Sequence, residues 1–257
     1  MNVVTSKDGT LIAYDRQGDG PVVVLVTGAL DDGSENAPLA AKLAEEFTVV
    51  NYARRGRGGS GDTLPYAVER EIEDLEALIG EVGGSAHVFG VSSGGALVLE
   101  AAAAGLAIDR LAVYEVPYFV DHEASQRWRD YVSRLGAALA EGRAGDALEL
   151  FHWLTGFSEE DIAAARNSPF WAGAQALERT LAYDAAILGD GIPPTGRLAS
   201  IRQPTLVATG GGAELFERAA DAITAKMPHA ERLTLENQEH VADPKVLAPM
   251  LERFFGD

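Results

Sequence analysis

The chain contains no cysteine among its 257 residues, which excludes disulfides, thiolate catalysis, iron–sulfur clusters and cysteine-ligated zinc. No stretch approaches the roughly 20 apolar residues that a membrane span requires. The opening MNVVTSKDGT lacks a charged start followed by an apolar run, so no leader is expected and the compartment expected by default is the cytoplasm. Positive charge is scarce: 21 Lys and Arg face 39 Asp and Glu, for a net charge of −18. Such a field repels phosphate backbones and anionic lipid, so neither nucleic acid nor a membrane surface is an expected partner. No segment repeats at the spacing of a solenoid or propeller. No histidines and carboxylates stand at metal-ligand spacing. The glycine-rich Gly56-Arg57-Gly58-Gly59-Ser60-Gly61 lacks the Lys-Ser/Thr ending of a phosphate loop. No cofactor or metal is therefore expected, and composition leaves the oligomeric state open.

What is present is enough apolar material, 47% of residues, to bury one sizeable core in a single domain. Short runs of Val, Ile and Tyr alternate with stretches of helical period, the signature of a mostly parallel sheet with helices on both faces. Residues 2–5 and 10–15 read as an edge hairpin around Lys7-Asp8-Gly9, and Val22 to Val26 as a fully buried strand. Helices are expected at 36–46 and 66–82, and strands at 47–52, 86–91 and 111–116. The 66–82 helix sets Val68, Ile72, Leu75, Leu78, Ile79 and Val82 on one face. From 117 to 200 the alternation stops and the composition turns helical, with all three tryptophans, Trp128, Trp153 and Trp171, in that stretch. The pattern resumes with strands at 205–209 and 231–235 and helices at about 214–226 and 244–255, so 117–200 reads as an insertion into a finished scaffold. Arg54, Arg55 and Arg57 form the one dense basic cluster and are expected to pair with acidic residues around a turn.

The chemistry centres on Gly90-Val91-Ser92-Ser93-Gly94, a G-x-S-x-G pattern between an expected strand and an expected helix. A serine there is held in a strained turn with its hydroxyl exposed, and the small flanking residues let strand and helix touch. Ser93 has Val91 and Gly95 at the flanking positions, so Ser92 fits the pattern and Ser93 does not. The Ser93 N–H, at the start of a helix, is a candidate oxyanion donor. A serine hydroxyl needs a general base at neutral pH, and the five histidines are His87, His122, His152, His229 and His240. His240 alone follows the last strand, in a loop returning to the sheet edge where open α/β sheets bind ligands.

With Ser92 in its elbow and His240 after the final strand, the chain resembles the α/β-hydrolase superfamily over essentially its whole length. The landmarks are VVVLVTGAL at 22–30, NYARRGRGGSGD at 51–62, HVFGVSSGG at 87–95 and QEHVADP at 238–244. The resemblance implies an eight-stranded sheet, a helical cap at 117–200 after the sixth strand, and a second oxyanion amide from Ala29. Three departures stand out: Thr27-Gly28 where His-Gly is commonest, Ala53 where an aspartate is frequent, and no aspartate after TLVAT, where Gly210-Gly211-Gly212-Ala213-Glu214 follows. Some relatives place the acid after the sixth strand, where Glu115 lies, so Glu115 is preferred over Glu214 as the orienting carboxylate. The expectation is a serine hydrolase acting on a small, largely apolar ester-like substrate or an activated carbon–carbon bond. The alternatives are a non-catalytic binder of the same fold, or a cofactor-free lyase, isomerase or perhydrolase.

Overall fold

The computed structural model describes residues 1–143 and 145–256. The chain opens with β1 (Asn2–Thr5), β2 (Leu11–Gln17) and β3 (Val22–Val26), then α1 (Ala37–Leu43), β4 (Thr48–Tyr52), α2 (Val68–Glu81) and β5 (Ala86–Val91). Next come α3 (Ser93–Ala103) and β6 (Ile108–Tyr114). A helical stretch follows: α4 (His122–Ala140), α5 (Asp146–Leu154), α6 (Glu159–Arg166), α7 (Trp171–Leu177), α8 (Leu181–Leu188) and α9 (Thr195–Leu198). The alternation then resumes through β7 (Thr205–Gly211), α10 (Glu214–Thr224), β8 (Ala230–Gln238) and α11 (Pro244–Gly256).

The eight strands form one sheet in the order β1-β2-β4-β3-β5-β6-β7-β8. β2 runs antiparallel to both β1 and β4, while β3 to β8 are parallel. The central strands are buried on both faces, which is why β3 is an unbroken VVVLV run. β8, at the edge, alternates exposed and half-buried residues. One face of the sheet carries α1 and α11, whose Leu39, Leu43, Leu247 and Leu251 pack on Val23, Leu25 and Phe89. The opposite face carries α2, α3 and α10, and its core continues without a break into α4 and α8 through Trp128, Leu181 and Leu188. Among the described residues no helix is long and apolar enough to cross a membrane.

The elements lie where the sequence places them, with shifted ends that have physical causes. β6 begins three residues before the expected 111–116 and stops at Tyr114, because Glu115 turns out of the strand with φ of 50°. α2 buries Glu71 and Asp74 beside Leu75, Leu78 and Ile79, where periodicity alone expects an apolar stripe. Those two carboxylates answer the arginine cluster. Arg54 forks onto Glu71 at 2.7 and 2.8 Å, and Arg55 onto Asp74 at 2.8 and 2.7 Å. Burying a charge is tolerable only when it is paired and hydrogen-bonded, and all three arginines are at or below 1% exposed.

The strand order reverses at β3, which has β4 on one side and β5 on the other. A crevice opens at such a switch point beyond the carboxyl ends of the strands. The segments leaving β3, β5, β6, β7 and β8 all emerge at this edge.

Candidate active site

The chain passes from β5 into α3 across one residue, Ser92, at φ 55° and ψ −128°. Backbone strain of this kind costs about 1–3 kcal/mol and persists only where the surroundings impose it. Here close packing imposes it. A Cβ on Gly90 would stand 2.6 Å from the Gly94 carbonyl oxygen, and one on Gly94 would stand 2.6 Å from that of Val26. Only hydrogen at these positions lets β5, α3 and β3 approach so closely. Ser93 is the first residue of α3, so its N–H has no acceptor within the helix, and the positive helix end adds to the pull on an anion.

Across the crevice, β3 runs into Thr27-Gly28-Ala29-Leu30. A Cβ on Gly28 would lie 3.0 Å from the Ser92 Cβ, which sets this loop directly against the serine turn. Leu30 also has positive φ, 58°. Among the described residues, four that are not glycine have positive φ (Leu30, Ser92, Glu115 and Asn237): one adjoins Ala29, two are candidate site residues, and one lies three residues before His240.

Glu115 leaves the end of β6 with its side chain 3% exposed. Its Oε1 accepts the Gly210 N–H at 2.9 Å, and its Oε2 meets His240 Nδ1 at 2.7 Å. A carboxylate on Nδ1 keeps the ring proton there and leaves the Nε2 lone pair free. The imidazole lies nearly parallel to the Phe216 ring, with centroids 4.8 Å apart. The preceding residue is tethered by the Tyr114 hydroxyl, which donates to the Glu239 carbonyl at 2.7 Å. Glu214 is placed elsewhere: it starts α10 with its side chain 85% exposed, 3.9 Å from Arg218. The glycines that end β7 and follow it supply no carboxylate, but Gly210, within β7, supplies the amide that fixes Glu115 from the other side.

Ser92, Ser93, Ala29 and His240 all wall one cavity of about 720 Å³. Glu115 stands behind His240 rather than in the wall. Much of the remaining lining is apolar and comes from the helices between β6 and β7, including Trp128, Tyr131, Phe151 and Leu181. The Glu35 carboxyl, also in the wall, is raised above its ordinary value by burial and by the neighbouring Asp31. Among the described residues no group of three or more His, Asp or Glu is arranged to hold a metal ion.

Sequence pattern does not single out Phe216, Tyr114, Gly210 or Asp184, the last of which also lines the cavity. Asp184 left a signal, being the one charged residue in the otherwise apolar α8 segment LAYDAAIL. The other three left none, since a tyrosine or a glycine at a strand end and a phenylalanine in the first turn of a helix are ordinary.

The model of a family described as "Alpha/beta hydrolase family" matches residues 23–250. A solved structure of an alpha/beta hydrolase from Sphaerobacter thermophilus is 50% identical, covers 99% of this chain and 100% of its own, and superposes with a TM-score of 0.90. A thermophilic esterase from Thermogutta terrifontis is 21% identical, with a TM-score of 0.75 and coverage of 99% and 97%. The 2-hydroxy-6-oxo-6-phenylhexa-2,4-dienoate hydrolase of Rhodococcus sp. strain RHA1 is 22% identical, with a TM-score of 0.70 and coverage of 100% and 99%. At those identities the likeness of the last two is one of fold. Among curated proteins, the hydrolase YraK of Bacillus subtilis is 35% identical over 107 residues, a match spanning 38% of this chain and 40% of that protein.

Proposed function

The chain belongs to the alpha/beta hydrolase family, and from that premise we propose that it is a serine hydrolase cleaving a small, largely apolar ester-like substrate through an acyl-enzyme on Ser92. One observation carries this reading. A serine in a strained strand-to-helix turn and an imidazole backed by a buried carboxylate wall the same apolar cavity.

The roles follow from the atoms. His240 Nε2 takes the Ser92 hydroxyl proton as Oγ bonds to the acyl carbon, and the carbonyl oxygen becomes an oxyanion facing the Ala29 and Ser93 amides. The intermediate collapses as the C–O bond to the leaving group breaks, and the imidazolium returns its proton to the departing alkoxide. Water then attacks the acyl carbon, giving its proton to the same nitrogen, and Ser92 leaves with that proton restored. Glu115 holds the ring tautomer and stabilises the imidazolium in each half-reaction. The helices of 122–198 act as a cap whose aromatic and aliphatic side chains exclude water and receive the apolar part of the substrate.

A binder without catalysis has no use for an imidazole fixed on its far nitrogen by a buried carboxylate. This favours the enzyme over the non-catalytic alternative. The experiment is labelling with a fluorophosphonate, followed by a panel of short and long p-nitrophenyl esters. Stoichiometric modification at Ser92, abolished together with ester hydrolysis in Ser92→Ala, is the expected result. Folded wild-type protein that stays unlabelled and inert on every ester overturns the reading.

A further inference from the structure

Asp184, from α8, lies 4% exposed beneath the serine turn. Its Oδ1 accepts the Ser93 hydroxyl at 2.7 Å, Arg54 Nη1 at 2.8 Å and Arg57 Nη2 at 2.8 Å; Oδ2 accepts Arg57 Nη2 at 2.9 Å. The two guanidinium groups it holds reach onward to the loop after β3. Arg54 Nη1 donates to the Thr27 carbonyl at 3.3 Å, and Arg57 Nη1 donates to the Gly28 carbonyl. Arg55, the third member of the cluster, is held separately by Asp74 and Asp8.

The Gly28 carbonyl belongs to the same planar peptide as the Ala29 N–H. In a trans peptide the two point in opposite directions, so a guanidinium gripping the oxygen aims the amide on the other side. Donation to the carbonyl also polarises the unit and strengthens the N–H as a donor. The Ser93 hydroxyl bond performs the matching task for the residue after the nucleophile.

We propose that Asp184 is a positioning residue for the oxyanion hole, fixing the Ser93 amide through the Ser93 side chain and the Ala29 amide through Arg57 and the Gly28 carbonyl. The proposal rests on the serine-hydrolase reading above and adds to it a link from the helical segment to transition-state stabilisation. The electrostatics suit the task. Two buried anions, Glu71 and Asp184, balance two buried cations, Arg54 and Arg57. Burial alone would raise the Asp184 carboxyl, but Arg57 and Arg54, with the Ser93 hydrogen bond, hold it below the ordinary range, so it stays ionised. Oxyanion donors act over a narrow distance range, and losing one costs about 100- to 1000-fold in kcat; a donor misaimed but still present costs less.

The test compares wild type, Asp184→Asn and Ser93→Ala on a short p-nitrophenyl ester. Each kcat is counted per Ser92 titrated by a fluorophosphonate, so misfolded protein drops out of the figure. The expected result is a fall in kcat of about 10- to 100-fold for Asp184→Asn, less for Ser93→Ala, with KM nearly unchanged. An alkyl boronic acid, whose tetrahedral serine adduct places an oxygen in the hole, is expected to lose affinity by a similar factor. If Asp184→Asn yields no titratable protein, Ser93→Ala decides alone, because it deletes only the hydroxyl. Unchanged kcat per site and unchanged boronate affinity overturn the proposal while leaving the nucleophile in place. Wild-type protein with no titratable Ser92 overturns the underlying reading instead, a result that needs no variant.

Discussion

Replacing Glu115 with glutamine gives a sharp test of how the site is wired, because the structure dictates which way the new amide must face. The Gly210 N–H is a fixed backbone donor 2.9 Å from Oε1. The glutamine oxygen has to stay there, since its NH2 group in that place would set donor against donor. The NH2 is then directed at His240 Nδ1, 2.7 Å from the present Oε2, and Nδ1 must become an acceptor. The ring proton moves to Nε2, the nitrogen that receives the Ser92 proton in the proposed mechanism, and that base would be lost without any change of shape. The corresponding carboxylate-to-amide change in a serine-protease triad lowers kcat by about 10,000-fold, equivalent to roughly 5.5 kcal/mol of barrier. A loss of that order is expected here, with KM little changed because Glu115 does not line the cavity. The assay is steady-state hydrolysis of a short p-nitrophenyl ester, with the urea midpoint measured alongside to establish that the variant is folded. A folded Glu115→Gln retaining more than a tenth of wild-type kcat would contradict this wiring, since the imidazole tautomer would then not depend on this carboxylate.

Two further outcomes concern stability. Gly90→Ala is expected to destabilise by about 1–3 kcal/mol in urea titrations, because its Cβ meets backbone atoms at 2.6 to 2.8 Å. Gly80→Ala, in α2 with nothing within 4 Å, is expected to stabilise by about 0.4–1 kcal/mol; equal effects would contradict the packing account. His87, stacked on Phe255 with ring centroids 4.9 Å apart, has its pKa lowered by burial, against a smaller opposing pull from Asp109. A histidine depressed in the folded state binds protons more readily when unfolded, so its stabilising contribution is present above the unfolded value of about 6.5 and declines as pH falls below it. The urea midpoint is therefore expected to drop more between pH 7 and 5.5 in wild type than in His87→Phe, and parallel pH profiles would disprove the assignment.

The legible parts of this protein are those written in local pattern. Val22–Val26 reads as a buried strand because every residue in it is apolar, and 68–81 as a helix because its leucines and isoleucines recur at helical spacing. The Ser92 turn is legible because the glycines that permit it sit within four residues of one another. Element ends are less legible, as β6 shows, because the residue that ends it does so through a backbone conformation set by distant partners.

Tertiary structure decided whatever depends on two residues meeting across the chain. The sequence favours Glu115 over Glu214 for the imidazole, but no local pattern shows that either carboxylate reaches it. Glu115 reaches it through a contact between residues 125 positions apart and is held by an amide on β7 that receives the other oxygen. The same holds for Asp184, which reads locally as a stray charge in an apolar helix and meets Ser93 only across 91 positions. Hydrophobic periodicity registers which side of an element faces inward, because burial acts on each residue separately. Which buried charge faces which partner is a property of pairs, and it exists only once the sheet has brought the ends of its strands together.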